Sequence, residues 1–134
     1  MSQELIRKAF ETRLKTWADS QGLEVAWENV SYEPTEDQPF IRAFLLPART
    51  RQLFLDQTGR DFRGVFQINL DMPLGTGPGT GEALISSLDA FFTGSFTQGS
   101  IRVTLVSPMS AAPALPVADR YVIPVSAAYR VVTV

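Results

Sequence analysis

The sequence contains no cysteine and no histidine. Without cysteine the chain cannot form disulfides, thiolate nucleophiles or cysteine-based metal sites. Without histidine it lacks the usual general base near neutral pH and the commonest metal ligand of proteins. These two absences exclude Ser-His-Asp catalysis and ordinary zinc hydrolysis within this chain. We therefore expect no catalytic residues, no metal site and no cofactor.

Long apolar runs are also missing, since no stretch could span a bilayer, and we expect no membrane contact. The chain has 134 residues, of which 45% are hydrophobic, and this is enough to build one core. The sequence shows no internal repeat. We predict a single domain that spans residues 1–134.

The clearest local pattern lies in Arg63–Phe92, RGVFQINLDMPLGTGPGTGEALISSLDAFF. Phe66, Ile68 and Leu70 alternate with polar residues, which is typical of a half-buried β-strand. Pro73 cannot donate a ladder hydrogen bond, so strand pairing should end there. A second apolar set recurs at helical spacing and predicts an amphipathic helix: Leu84, Ile85, Leu88, Phe91 and Phe92.

A glycine-rich segment joins this strand to this helix, with glycine at every second position from Gly75 to Gly81. A phosphate-binding P-loop would need Lys and then Ser or Thr directly after the last glycine. Glu82 stands there instead, and a carboxylate at the start of the helix would repel phosphate. We therefore interpret Gly75–Gly81 as a mobile hinge. We expect Thr80 to be the N-cap of the helix and Gly94 to end it. We also expect the Glu82 carboxylate to interact favourably with the positive N-terminal end of the helix dipole.

The rest of the sequence predicts one more helix and four more strands. The helix covers about residues 3–20, with Ser2 as its N-cap and Gly22 as its stop, and its apolar stripe is Ile6, Phe10, Leu14 and Trp17. The strands are centred on Leu23–Trp27, Phe40–Leu46, Ile101–Leu105 and Tyr121–Val134. We predict an α+β fold with a mainly antiparallel, or mixed, sheet of about five strands and two helices packed on one face.

Two proline-containing features lead to further expectations. The segment Ser107–Asp119 is rich in proline and alanine, which predicts a long and weakly structured connection. Pro124 lies near the start of the last strand and predicts an edge position or a bulge there.

Charge is segregated along the sequence although the net charge is only −2. Residues 22–41 carry five acids and no Lys or Arg, whereas residues 42–63 carry five arginines and two acids. The candidate interface residues are Glu33, Glu36, Asp37, Arg49, Arg51 and Arg60. Either the two charged loops neutralise each other within one subunit, or they form complementary surfaces on neighbouring copies, as a head-to-tail ring requires. A pI of about 5.1 argues against a dedicated nucleic-acid binder.

The order of these segments resembles the small tail-terminator-like proteins of phages and prophages. The best-matched pieces are Ala26–Val30, AWENV, and Gly64–Phe92. The resemblance implies a structural virion protein without enzymatic activity, which forms a ring, commonly of six subunits, on the end of the tail tube. Its location would be the virion tail, after assembly in the host bacterial cytoplasm. Its partners would be copies of itself, the tail-tube protein and the head-connector protein, with DNA only passing non-specifically through the ring.

Three alternatives remain open. The nearest is another neck component of the same architecture, such as a head-closure or tail-to-head joining protein. A small carboxylate-dependent hydrolase would instead be favoured by a cleft in which two or more acids with shifted pKa values converge. A ligand-binding module would use Trp17, Trp27 and the glycine segment, although both tryptophans are expected on core faces.

Overall fold

A computed structural model of the chain describes residues 3–34, 37–52, 59–75, 77–99, 101–117 and 120–133. Two helices and nine strands form in these residues. In chain order they are α1 (Gln3–Gln21), β1 (Glu24–Ala26), β2 (Phe40–Pro47), β3 (Arg51–Gln52), β4 (Arg60–Pro73), α2 (Pro78–Phe91), β5 (Ser95–Gln98), β6 (Ile101–Leu105), β7 (Ser110–Ala111), β8 (Leu115–Val117) and β9 (Arg120–Thr133). The α+β class is confirmed, and the sheet has more strands than the five predicted.

All the strands belong to one mixed sheet with the order β1-β2-β4-β9-β6-β5. The short strand β3 pairs with β4, and β7 and β8 pair with β9. β1 and β2 run parallel, whereas the other pairs are antiparallel. The long strands β4 and β9 pair from Arg60 opposite Thr133 to Pro73 opposite Arg120, so strand pairing ends at Pro73 as predicted.

Both helices pack on one face of this sheet, as predicted. Phe66 of β4 is stacked between Phe10 of α1, with ring centroids 4.0 Å apart, and Tyr129 of β9, at 4.4 Å. Phe10 also contacts Phe92, directly after α2, at 6.0 Å. The predicted stripes of α1 and of the two long strands are buried in this single core. We call the opposite side of the sheet the open face.

The end of α1 also agrees with the sequence. Gly22 has a φ of +69°, and the Leu23 amide donates to the Ala18 carbonyl at 2.9 Å, which closes the helix end. The predicted N-cap Ser2 lies outside the described residues.

The start of α2 differs from the prediction. The helix begins at Pro78, with Gly77 as N-cap at a φ of +75°, because proline at the first helical position has its φ already set for a helix. Thr80 is therefore inside the helix rather than its cap, and Glu82 lies beyond the first turn. Gly79 and Gly81 are helical, so they do not belong to a hinge.

Gly81 has a packing role within α2. A Cβ at this position would lie 2.6 Å from Cδ1 of Ile123, so glycine allows the helix to lie close to β9. The helix ends at Phe91, and Gly94 follows three residues later with a φ of +71°.

The segment Ser107–Asp119 is more ordered than predicted, because it contributes β7 and β8 to the sheet. The long strand β9 extends past β6, and its backbone groups need partners that these short strands supply. β9 is therefore interior, so the edge predicted from Pro124 is wrong. The Pro124 carbonyl accepts a hydrogen bond from the Ala112 amide at 2.8 Å. The pairing with β4 continues through Pro124 opposite Asn69 without an extra residue, so the alternative of a bulge is wrong as well.

Candidate assembly surfaces

The acidic candidates lie along the β1 edge of the sheet. The loop after β1 turns back beside that strand, since Tyr32 donates to Glu24 at 2.8 Å and its ring lies 4.8 Å from that of Phe40. Glu33 and Asp37 are exposed there, whereas Glu36 lies outside the described residues. We define the acidic edge as Glu24, Glu28, Glu33 and Asp37, with Val30 among them.

The basic candidates lie at the other end of β2. Arg49 is exposed directly after this strand, and Arg60 is half-buried at the start of β4, where it donates to the Gly59 carbonyl at 3.0 Å. The backbone of Arg51 pairs with Asp61, but its side chain lies outside the described part of the structure, as do residues 53–58.

The eight residues of β2 separate these basic residues from Glu33 and Asp37. At about 3.4 Å per residue the two loops are roughly 25 Å apart along the strand. This exceeds the screening length of about 10 Å at 0.1 M salt. Neutralisation between the two loops of one subunit is therefore weak, and their use by neighbouring copies stays a prediction.

The open face carries an arginine cluster that the sequence patterns did not reveal. Arg63 of β4 lies directly opposite Arg130 of β9, and Asp61 accepts hydrogen bonds from both at 3.0 Å. The hydrogen bond from Arg130 holds the pKa of Asp61 below its usual value. Burial of the carboxylate raises this pKa in part, whereas the hydrogen bond from Arg63 lowers it further. The buried carboxylate thus offsets the repulsion that two facing arginines would feel.

A second arginine cluster lies at the other end of the open face. Arg120 forms an ion pair with the buried Asp71 and donates to the Gln38 carbonyl. Its guanidinium lies 4.9 Å from the centre of the Phe40 ring, and that of Arg42 lies 5.1 Å away. Arg120 therefore anchors the end of the acidic loop to the sheet.

An apolar row crosses the open face beside the first cluster. Leu46 lies opposite Val65, Val65 opposite Ala128, and the Val106 amide donates to the Ala128 carbonyl at 2.9 Å. Val106 is 59% exposed and Leu46 is 47% exposed. Because α1 and α2 pack on the opposite face, no helix in the described residues covers this apolar row.

A groove of about 560 Å³ lies between α1 and the loop after β1. Glu28 accepts hydrogen bonds there from Arg7 at 2.9 Å and from the Leu45 amide at 3.1 Å. Both hydrogen bonds lower the pKa of Glu28, and the one from Arg7 has the larger effect. Burial raises the pKa of Glu11, which lines the same groove. Glu28 is thus fixed against the edge of β2, where it satisfies an otherwise unpaired amide.

Other kinds of site find little support in the described ranges. They contain no group of three or more Asp, Glu, His or Cys side chains able to hold a metal ion. No helix among them is long and apolar enough to cross a membrane. Trp17 is fully buried and donates to Ser87 at 3.0 Å, and Trp27 packs against the core.

Comparison with known proteins then identifies the family. The family model described as phage tail terminator protein matches residues 5–129. The chain belongs to the phage tail terminator protein family. The matched range includes both helices and nearly all of the sheet, so the resemblance seen in the sequence is confirmed.

A solved structure is similar to this chain over almost its whole length. The two chains are 36% identical, the alignment covers 98% of this chain and 96% of the other, and the TM-score is 0.80. No curated protein matches. As a tail terminator family member, the chain is a structural component of the phage tail, and the family is not enzymatic.

Proposed function

We propose that the protein closes the end of the phage tail tube as a ring, stops tail polymerisation and forms the surface to which the head attaches. The observation that carries this proposal is the separation of opposite charges by the length of β2. A ring of identical subunits joined head to tail needs two different patches that fit each other. Glu33 and Asp37 supply one patch, and Arg49 with its neighbours supplies the other.

The proposed partners are those that the resemblance to tail terminators implies. Each subunit contacts further copies of itself, and the ring is a hexamer on the tail. Loops on one ring face bind the tail-tube protein, and the other face receives the head-connector protein. Loops that order only on contact keep the free subunit monomeric. DNA passes through the ring without sequence-specific contacts.

Electron microscopy of particles assembled without this gene tests the proposal. Loss of a tail terminator should give abnormally long tails, because polymerisation is not stopped. Loss of a head-closure or tail-to-head joining protein would instead give tails of normal length that are detached from heads. A plasmid copy of the gene should restore normal tails. Tails of normal length in the deletion strain would contradict the terminator role.

A small carboxylate-dependent hydrolase is the second candidate, because the pKa values of Glu11 and Glu28 shift in opposite directions within one groove. Such a pair can supply a general acid and a general base. Against it, Glu28 is held by Arg7 and the backbone of β2. Glu11→Gln separates the two roles: a hydrolase would lose its activity on a panel of glycosides and esters, whereas a terminator would still give tails of normal length.

A further inference from the structure

The open face has the residue composition of a protein interface. On β2, β4, β6 and β9, its charged side chains are five arginines and two aspartates, with no lysine and no glutamate: Arg42, Arg63, Arg102, Arg120, Arg130, Asp61 and Asp71. Arginine and aromatic residues are enriched in protein interfaces, whereas lysine and glutamate are depleted. The apolar row of Leu46, Val65, Ala128 and Val106 adds exposed hydrocarbon, which favours a protein partner over a nucleic acid.

Charge indicates which protein fits this surface. The five arginines and two aspartates give the open face a net charge of +3. Because the whole chain has a net charge of −2, the remainder carries −5. Residues 22–41 contain five acids and no lysine or arginine, so they hold a large part of that negative charge. The best complement to the open face is therefore another region of the same chain.

The acidic edge matches the apolar row in two respects. Val30 is 61% exposed in the loop between Glu28 and Glu33 and lines the groove that also contains Arg7 and Glu11, so the acidic edge presents one apolar side chain to solvent. The apolar row presents Val106 beside Arg63 and Arg130. Apolar contact at the centre with opposite charges around it is the usual arrangement of a specific interface.

We propose that the apolar row of one copy is covered by the acidic edge of a second copy, with Val30 packed near Val106 and the exposed carboxylates of Glu33 and Asp37 facing Arg63 and Arg130. The two patches are different, so the contact is head to tail and repeats around a ring. This inference rests on the proposed ring and specifies which surface of the sheet it buries.

The absence of cysteine makes a crosslinking test free of background. Val106→Cys and Val30→Cys are small changes at exposed positions, and the purified variants would be mixed at high concentration with a bifunctional maleimide. We expect a crosslinked dimer in the mixture that neither variant forms alone. Leu74→Cys, 55% exposed in the turn after β4, is the matched control and should not crosslink to Val30→Cys.

If the free subunits are monomeric and the mixture gives no crosslinked dimer, the same contact is tested in assembled tails that carry the double variant Val30→Cys/Val106→Cys. Crosslinking should then give a ladder of subunit multiples, and Val106→Asp should weaken assembly about tenfold, as expected for a central interface residue. Tails of normal length without a ladder would overturn this inference while leaving the terminator function intact. Crosslinking of Val106→Cys to itself, or only to the tube protein, would also overturn it.

Discussion

The guanidinium of Arg13 lies 4.4 Å from the centre of the Phe91 ring and donates a 2.8 Å hydrogen bond to the Phe91 carbonyl. Phe91 is the last residue of α2, so the cation of α1 meets the negative end of the α2 dipole. The Phe96 ring of β5 lies 5.0 Å from the same guanidinium. One side chain therefore links both helices and the β5–β6 hairpin.

Replacement of Arg13 should destabilise the fold. Arg13→Met keeps much of the apolar stem but removes the cation–π contacts and the hydrogen bond to α2, and we expect the free energy of unfolding to fall by about 1–2 kcal/mol. Urea denaturation would measure this loss. Lys15→Met is the control, because the pair that Lys15 forms with Asp19 is exposed on both sides, and the effect of its loss should stay within about 0.5 kcal/mol. Equal effects of the two substitutions would contradict the linking role.

Asp61 should make stability depend on pH. Its pKa is lowered in the folded state, so its stabilisation is complete above the unfolded-state pKa, near 4, and is lost as the pH falls through the folded-state value. Asp61→Asn should lower the free energy of unfolding by about 2 kcal/mol at pH 7 and should flatten its decline between about pH 5 and pH 2. Thermal melts across this pH range would show both effects. Asp19→Asn, an exposed substitution, should leave the profile unchanged.

Two glycines should respond in opposite directions to alanine. At Gly64 a Cβ would lie 2.6 Å from both the Leu46 carbonyl oxygen and the Tyr129 hydroxyl, so we expect a loss of about 2–3 kcal/mol. At Gly79, within α2, a Cβ would lie within 4 Å of no atom in the described part of the chain, and Gly79→Ala should stabilise the protein by about 0.5 kcal/mol. Denaturant titrations of both variants would test this. Tolerance of alanine at Gly64 would show that both the backbone of β2 at Leu46 and the Tyr129 side chain can move away.

Charge reversal should affect assembly without affecting the subunit. Arg49 is exposed after β2, and Arg49→Glu/Arg51→Glu should weaken ring assembly while leaving the melting temperature almost unchanged. Tail length in complementation assays and melting curves of the purified protein would be compared. Lys8→Glu/Lys15→Glu, the same charge reversal on α1, is the control. Normal tails from the Arg49/Arg51 variant would remove these residues from the interface.

Some features can be predicted because they depend on neighbours in the sequence. The stripe of Ile6, Phe10 and Leu14 predicts α1, and the alternation of Phe66, Ile68 and Leu70 predicts the centre of β4. The predicted start of α2 is wrong because Pro78 favours the first helical turn more strongly than the glycines around it disfavour a helix. β7 and β8 escape prediction because their order comes from pairing with β9, which no local pattern in Ser107–Asp119 encodes.

The sequence by itself determined the α+β class, the family and the segregation of opposite charges into separate segments. The reason is that hydrophobic periodicity, composition and segment order are contained in the order of the residues alone. Only the tertiary structure decided that β2 separates those charges, that Arg63 and Arg130 share Asp61, and that Leu46, Val65, Ala128 and Val106 form one row. Each of these depends on the register between distant strands. A shift of one residue would turn the side chains of a strand to the opposite face, and the row would disappear.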